Sequence, residues 1–521
     1  MVTEILSGGL LGVECRPVRV EIDVSSGLPM FEMVGKLSGE VREAAKRVRV
    51  ALKNEDIGIP AKRITVNLAP ADEIKEGTGF DLPIALCLLC AMEMITEDSL
   101  AETFAVGELA LDGRVCGIRG ILPMMLKARE CGMKRCLLPY ENVREAKVVD
   151  GIEIIGVKSL GEALRYLQEK SGTENGNGSV QGNGVGTYAE SPAETEDAEY
   201  EDFADIAGQE SLKRAMTIAA AGFHNLIMIG PPGAGKTMAA KRLPGILPPM
   251  NREEMLEVSK IYSAAGLLDS EYPLVIKRPF VAPHHTVSHV ALAGGGKNPA
   301  PGLISRSHKG VLFLDEVVHF GSQSLEVLRQ PMEEKKIRID RAHGSCVFPA
   351  DFMLVAALNP CPCGNYPDPK LCRCSDDQVR KYLSKLSGPL LDRMDLCVEM
   401  SRMKIGELTS PEETPYPYTS AGMKEAVMRA RQVQEERFKD SGISFNSQMS
   451  HMDMEKFVEL GGKEKKFMEK AYDRMHLSLR SYHKILRVAR TIADIGGCEK
   501  VELSQLTEAL CYRSIEDRYW R

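Results

Sequence analysis

The stretch from Gly230 to Thr237 reads GPPGAGKT, which satisfies the pattern G-x-x-x-x-G-K-[ST]. Glycines at such positions let backbone N–H groups turn inward around an anion, and the helix that follows adds the partial positive charge of its N-terminus. Gly230, Pro231, Pro232, Gly233, Ala234 and Gly235 are expected to cradle phosphates, with Lys236 reaching the β- and γ-phosphates of ATP and Thr237 holding Mg²⁺. About eighty residues on, "GVLFLDEV" runs apolar into Asp315 and Glu316. On a strand beside the phosphate loop, Asp315 would stand behind the metal ion and Glu316 would polarise an attacking water. A second apolar run, "FMLVAALN", ends in Asn359, a residue able to orient that water. Directly after it, "NPCPCGNYPDPKLCRCS" gathers Cys361, Cys363, Cys372 and Cys374 within fourteen residues. Two C-x-C pairs can present four thiolates to one tetrahedral ion, for which zinc is the fit; four unligated thiols are the alternative. Four cysteines leave no open coordination position, so such an ion would brace a loop and do no chemistry itself.

These side chains act only where regular elements hold them. "NLIMIGPPGAGKTMAAKRLPGILPP" reads as strand, Gly-rich loop and helix, and the runs ending in Asp315 and Asn359 read as further strands of one parallel sheet. From about residue 420 onward the pattern is helical, as in "GMKEAVMRARQVQEERF" and "SYHKILRVARTIADI". Earlier in the chain "GVECRPVRVEIDVS" and "KRITVNLAP" read as strands, "SGEVREAAKRVRVALKNEDI" as an amphipathic helix and "DLPIALCLLCAMEMI" as a helix buried all round. Arg42, Lys46, Arg47, Arg49 and Lys53 on the amphipathic helix are expected to form a solvated face.

At 521 residues the chain exceeds a single core. Residues 171–202 hold eight acids and no Lys or Arg among Gly, Ser and Asn, too little apolar surface to fold, and so read as a flexible tether. The formal net charge of −7 belongs largely to this segment, and the near-neutral remainder leaves polyanion binding open. No apolar run is long enough to span a membrane, and "MVTEILSGGLLGVECRP" lacks the basic start and cleavage site of a signal peptide. The ten other cysteines have no framework spacing, which points to reduced thiols and a cytoplasmic location.

With the phosphate loop, the acidic strand, the strand-end Asn and the helical tail in this order, the chain resembles an AAA+ ATPase. More narrowly, "RPFVAPHHTVSHVALAGGGKNPAPGLISRSHKGVLFLDE", "NPCPCG", "GPLLDRMDL" and "YHKILRVARTIADI" resemble the magnesium-chelatase-like ATPases of the YifB/ComM competence-protein family. The resemblance implies an α/β multidomain chain: a Lon-protease-like (ribosomal S5 domain 2-like) α+β domain over 1–170, the acidic linker 171–202, an AAA+ core over 203–412 with the Cys-rich insertion 361–374, and a helical lid over 413–521. It implies that Arg393 in "LLDRMD" is the arginine finger offered to a neighbouring subunit's ATP, and that Arg480 is the lid arginine termed sensor 2, with Arg487 as the other candidate. It places a DNA-tracking β-hairpin at "EEKKIRIDRAHGSCVFPADF", turning at His343–Gly344, whose Lys335, Lys336, Arg338 and Arg341 would meet phosphates. It further implies a homo-oligomer, a hexamer, moving on single-stranded or branched DNA and driving branch migration of incoming DNA.

The first 170 residues resemble the proteolytic domain of Lon through "KEGTGFDLPIAL" and "FAVGELALDGRVCGIRGILPMMLKARECGMKRCLLPYEN". Gly79, beside Thr78, stands where that family has its catalytic Ser, and Leu122 where it has its Lys, so a non-proteolytic scaffold is expected. A second departure is Leu303, where the chelatase-like family has a glutamate before "IS". The His284–His285 pair, read as a strand, would point to opposite faces and not share an ion. The competing functional reading is an ATPase that remodels a protein client, of chelatase or unfoldase type, with no action on DNA.

Overall fold

The computed structural model describes residues 2–171, 200–296, 299–341, 344–402 and 415–520. Most of the acidic stretch 171–202, the turn at His343 and the boundary near 412 lie outside these residues.

The N-terminal unit is built on a seven-stranded sheet in the order Glu153–Val157, Arg135–Pro139, Thr103–Ala105, Val2–Leu11, Glu14–Ser25, Arg63–Ala69, Met30–Val34. Val2–Leu11 and Glu14–Ser25 pair antiparallel through a turn at Gly12–Val13, with Leu11 opposite Glu14. Helix Asp81–Ala91 is apolar on every face and accordingly buried from Asp81 to Cys90. The amphipathic stretch forms two helices, Gly39–Arg42 and Ala44–Asn54, the second burying Ala44, Val48, Ala51 and Leu52 at helical spacing. Its basic face is not wholly solvated. Arg47 forks onto the buried Asp81, Nε to Oδ2 at 2.6 Å and Nη2 to Oδ1 at 2.9 Å, while the Leu109 N–H donates to the same carboxylate. Thr78 donates its hydroxyl to Glu108, and Leu122 is fully buried.

The second unit carries a five-stranded, wholly parallel sheet ordered Phe280–Val281, Val311–Leu314, Met353–Leu358, Leu226–Ile229, Leu396–Glu399. All residues of its three central strands are buried, which explains their continuous apolar runs in place of alternation. Numbered along the chain the order is 5-1-4-3-2, so the strand ending at Asn359 lies between the phosphate-loop strand and the acidic strand. Lys336–Arg341 and Gly344–Pro349 form an antiparallel hairpin. Its Phe348 is buried, and the Gly12 turn of the N-terminal unit packs against Phe348 and Cys346.

Beyond residue 415 the helices Ser420–Phe438, His451–Phe457, Gly462–Arg474, Leu479–Ile495 and Leu503–Trp520 follow one another. They pack on helix Glu210–Gly222 around a buried polar knot in which Arg437, Arg490 and Asn446 all donate to Asp494. Glu201 and Asp202, the last acids of the sequence-assigned tether, are bound to this body: Glu201 pairs with Arg242 at 2.8 Å and Asp202 accepts the Ser420 N–H at 2.7 Å.

Burial pushes the Asp81 carboxyl above its usual range, and the Arg47 guanidinium pulls it back. Replacing Arg47 by Met is expected to cost on the order of 3 kcal/mol at neutral pH, because a charge is then buried alone. The raised Asp81 protonates as pH falls, and a neutral carboxyl needs no counter-charge, so the loss shrinks on acidification. Urea unfolding of both proteins across pH 4 to 8, on the order of the usual carboxylate-to-neutral range, checks the sign; a loss independent of pH would refute it.

Candidate functional site

Parallel pairing sets Ile229 opposite Leu358 and Leu314 opposite Ala356, so the three chains leave the sheet at one carboxyl edge as Gly230, Asp315 and Asn359. Ligands of open parallel sheets bind at such an edge, where the strand order reverses. Gly233 and Gly235 adopt φ of 76° and 90°, the left-handed conformation that turns consecutive N–H groups toward a common centre. A Cβ on either would meet nothing within 4 Å, so the concavity is open. Helix Lys236–Ile246 begins at once beneath it.

Lys236 bends over this loop, donating to Gly230 O at 2.6 Å, Pro231 O at 3.0 Å and Asn359 Oδ1 at 3.0 Å. Burial draws its ammonium below the usual lysine range, opposed by the charges of Asp315 and Glu316. The Thr237 hydroxyl donates to Asp315 Oδ2 at 2.6 Å, joining the first turn of the helix to the acidic strand. Glu316 is exposed, with φ of 49°. The residues present fit a triphosphate and its divalent ion. Backbone N–H groups and an ammonium face an open cradle, and the hydroxyl–carboxylate pair supplies the hard oxygen ligands Mg²⁺ takes. Lys236, Thr237 and Asp315 would hold such a nucleotide and its ion, which would supply charge stabilisation for phosphoryl transfer.

The two arginines lie elsewhere. Asn225, just before strand Leu226–Ile229, accepts the chain at the amino edge: its N–H donates to Asp395 Oδ2 at 2.9 Å and its Nδ2 to Arg393 O at 3.0 Å. Arg393 is thus separated from the phosphate loop by the length of a four-residue strand, roughly 13 Å. Its Nη2 lies 2.7 Å from Glu333, and Arg480 pairs with the same carboxylate. They line a cavity of about 610 Å³ with Lys335, Lys484 and Arg487. The Nε atoms of Arg393 and Arg487 are buried there without a hydrogen-bond partner. Glu333 had no signal in the sequence beyond its place in a charged run.

Two expectations need correction. His284 and His285 are not on a strand. They follow strand Phe280–Val281 in a loop that lets their rings approach to 4.1 Å between centroids, so the alternation of strand side chains does not apply. Lys335 is not a free hairpin cation: it ends a helix in the left-handed conformation and pairs with Asp351 at 3.2 Å. Lys336 and Arg338 are exposed on the hairpin; the Arg341 side chain is outside the described residues. Leu303 begins the short helix Leu303–Arg306 and packs against the apolar cluster beside the sheet. The four cysteines converge with their sulfurs within 4.8 Å of one another, the one such ligand group found among the described residues.

Comparison with known proteins places this geometry. The family model "Magnesium chelatase, subunit ChlI" matches residues 202–408. "Subunit ChlI of Mg-chelatase" matches 20–142 and "Magnesium chelatase, subunit ChlI C-terminal" matches 417–513. The competence protein ComM of Haemophilus influenzae is 40% identical over 513 residues, covering 98% of this chain and 97% of its own. The uncharacterized protein YifB of Escherichia coli is 39% identical over 510 residues, covering 97% and 96%. This chain belongs to the magnesium-chelatase-like YifB/ComM family. Its likeness to a chelatase proper is narrower: the magnesium-chelatase 38 kDa subunit of Cereibacter sphaeroides is 28% identical over 174 residues, 30% of this chain. A YifB/ComM protein is thus a chelatase-like AAA+ core within a longer architecture shared end to end. No helix among the described residues is long and apolar enough to cross a membrane.

Replacing Thr237 by Ala removes the hydroxyl that joins the helix to Asp315. The Mg²⁺ concentration for half-maximal nucleotide binding is expected to rise by about tenfold or more, the worth of one hydrogen bond to a charged group. A Mg²⁺ titration with a fluorescent ATP analogue reads it; an unchanged midpoint would remove Thr237 from the ion's site.

Proposed function

We propose that this protein is a Mg²⁺-dependent ATPase that works as a ring of identical subunits, a hexamer, and moves on branched or single-stranded DNA. In this reading Gly230 to Thr237 hold the phosphates and Thr237 and Asp315 hold Mg²⁺. Glu316 activates water, Asn359 orients it, and Arg393 and Arg480 serve the ATP of the next subunit. The observation that carries it is the placement of Arg393 and Arg480 at the amino edge of the sheet, across its length from their own phosphate loop. A guanidinium there stands away from its own phosphate loop, which suits an arginine that serves a neighbouring subunit's nucleotide. Each site is then complete only with a second copy, and hydrolysis is coupled to assembly. Glu333 holds both arginines in the single chain and occupies the place an incoming phosphate would take.

The DNA part rests on the exposed Lys336 and Arg338 of the hairpin and on the end-to-end likeness to a competence protein. Exposed cations on a hairpin suit phosphates of any sequence, which is what a translocating motor requires. The domain boundaries set out above and a scaffold role for the first 170 residues belong to the same reading.

Mixing two inactive variants tests it. Arg393→Ala and Lys236→Ala are each expected to lose about a thousandfold or more in turnover alone. Combined, they should regain measurable hydrolysis, because an intact phosphate loop from the first chain meets an intact finger from the second. A mixture as inactive as its parts would count against a shared site. Stimulation of the wild type by a four-way junction supports the DNA motor, and a rate indifferent to every DNA tested would leave protein clients as the substrate.

A further inference from the structure

The cysteine loop follows Asn359 without helix or strand until Asp376–Leu383, so few backbone ladders define its shape. Its sulfurs do: Cys361 and Cys363 lie 3.3 Å apart, Cys363 and Cys372 3.7 Å, Cys361 and Cys372 3.8 Å. Tetrahedral zinc with thiolate bonds of about 2.3 Å spaces its sulfurs by about 3.8 Å, whereas a disulfide would bring two of them to about 2 Å. All four are free thiols. The backbone N–H groups of Asn365 and Arg373 are aimed at the Cys363 sulfur, and that of Cys374 at Cys372, the outer contacts that steady anionic sulfur around a metal.

The same loop touches the phosphate loop at Gly364. Cys361 is fully buried in one apolar cluster with Ile229, the residue before Gly230, and stands two residues after the Asn359 that holds Lys236. Gly364, with φ of 81°, lies so close to Pro232 that a Cβ on it would overlap the proline ring. A loop held only by a few turns, outside helix and strand, is therefore packed against the nucleotide cradle at Pro232.

We propose that Cys361, Cys363, Cys372 and Cys374 bind one zinc ion, and that this ion, by fixing the Gly364 contact with Pro232, sets the affinity of the phosphate loop for nucleotide. The coupling rests on the ATPase reading above; the metal site does not. Metal–sulfur bonds would add to the few backbone turns that order the loop, so removing the metal loosens the Gly364 seat of Pro232.

The test uses the full-length chain. Elemental analysis is expected to find one zinc per chain, lost in the double variant Cys372→Ser/Cys374→Ser, and cobalt substitution should give the intense visible bands of a tetrahedral thiolate site. Stripping zinc with a chelator should weaken binding of a fluorescent ATP analogue by about tenfold or more, and adding zinc back should restore it. Gly364→Ala separates seat from site: it should keep its zinc and its cobalt spectrum yet bind the analogue as weakly as the stripped protein. Absence of stoichiometric metal together with an octahedral or absent cobalt spectrum overturns the site. Unchanged nucleotide affinity in both the stripped protein and Gly364→Ala overturns the coupling. Zinc-loaded wild type that binds no nucleotide at all overturns the ATPase reading and the coupling with it, while metal content and spectrum still decide the site.

Discussion

A parallel sheet has two unlike edges, and this protein uses both. Because strands Leu226–Ile229, Val311–Leu314 and Met353–Leu358 all run the same way, their polar successors Gly230, Asp315 and Asn359 must emerge together. No single side chain brings Lys236, Thr237 and Asp315 into contact; the ladder of backbone hydrogen bonds does. The amino edge collects what precedes the strands, and there Asn225, Arg393 and Asp395 are knit by hydrogen bonds. Separation of the Gly230–Thr237 loop from Arg393 is therefore a property of strand direction.

The amino edge is also where the terminal helices settle. Lys484 donates to Met394 O at 2.8 Å, and burial lowers this lysine to about 8. His224, buried beside the same strands, hydrogen bonds Thr491 at 2.8 Å, and burial pulls it down to about 4. Helix Leu479–Ile495 thus carries Arg480 outward to Glu333 at one end and anchors in the Asp494 knot toward the other. The position of Arg480 is held from within by the polar contacts of Lys484, Thr491 and Asp494 on the same helix.

Local patterns were legible in the sequence, and pairings across long separations were not. The phosphate loop, the two strand-end polar residues and the buried helix Asp81–Ala91 could be read because each is decided within a short window of side chains. Glu333 could not, since Arg480 lies 147 residues away and no window contains both. Arg47 looked like one more surface cation until Asp81, 34 residues on, turned out to be buried beneath it. Val2–Leu11 is a central strand although Ser7, Gly8 and Gly9 interrupt its apolar run. A Cβ at Gly8 would strike Cys15 and Phe104, so close packing, invisible in one dimension, selects the glycine. The histidine pair misled for the opposite reason: strand-like neighbours surround residues that form a loop.

The long antiparallel pair Val2–Leu11 and Glu14–Ser25 ends in the turn whose Gly12 rests on Phe348 and Cys346. Mechanically this is a stiff beam rooted in a seven-stranded sheet, with its free tip wedged under the base of the Lys336–Arg341 hairpin. Helix Arg252–Ala265 adds to this contact, since Lys260 pairs with Glu14 at 2.7 Å and Ser263 donates to Glu145 at 2.5 Å. The N-terminal unit thereby reaches the second unit through Gly12, Glu14 and Glu145.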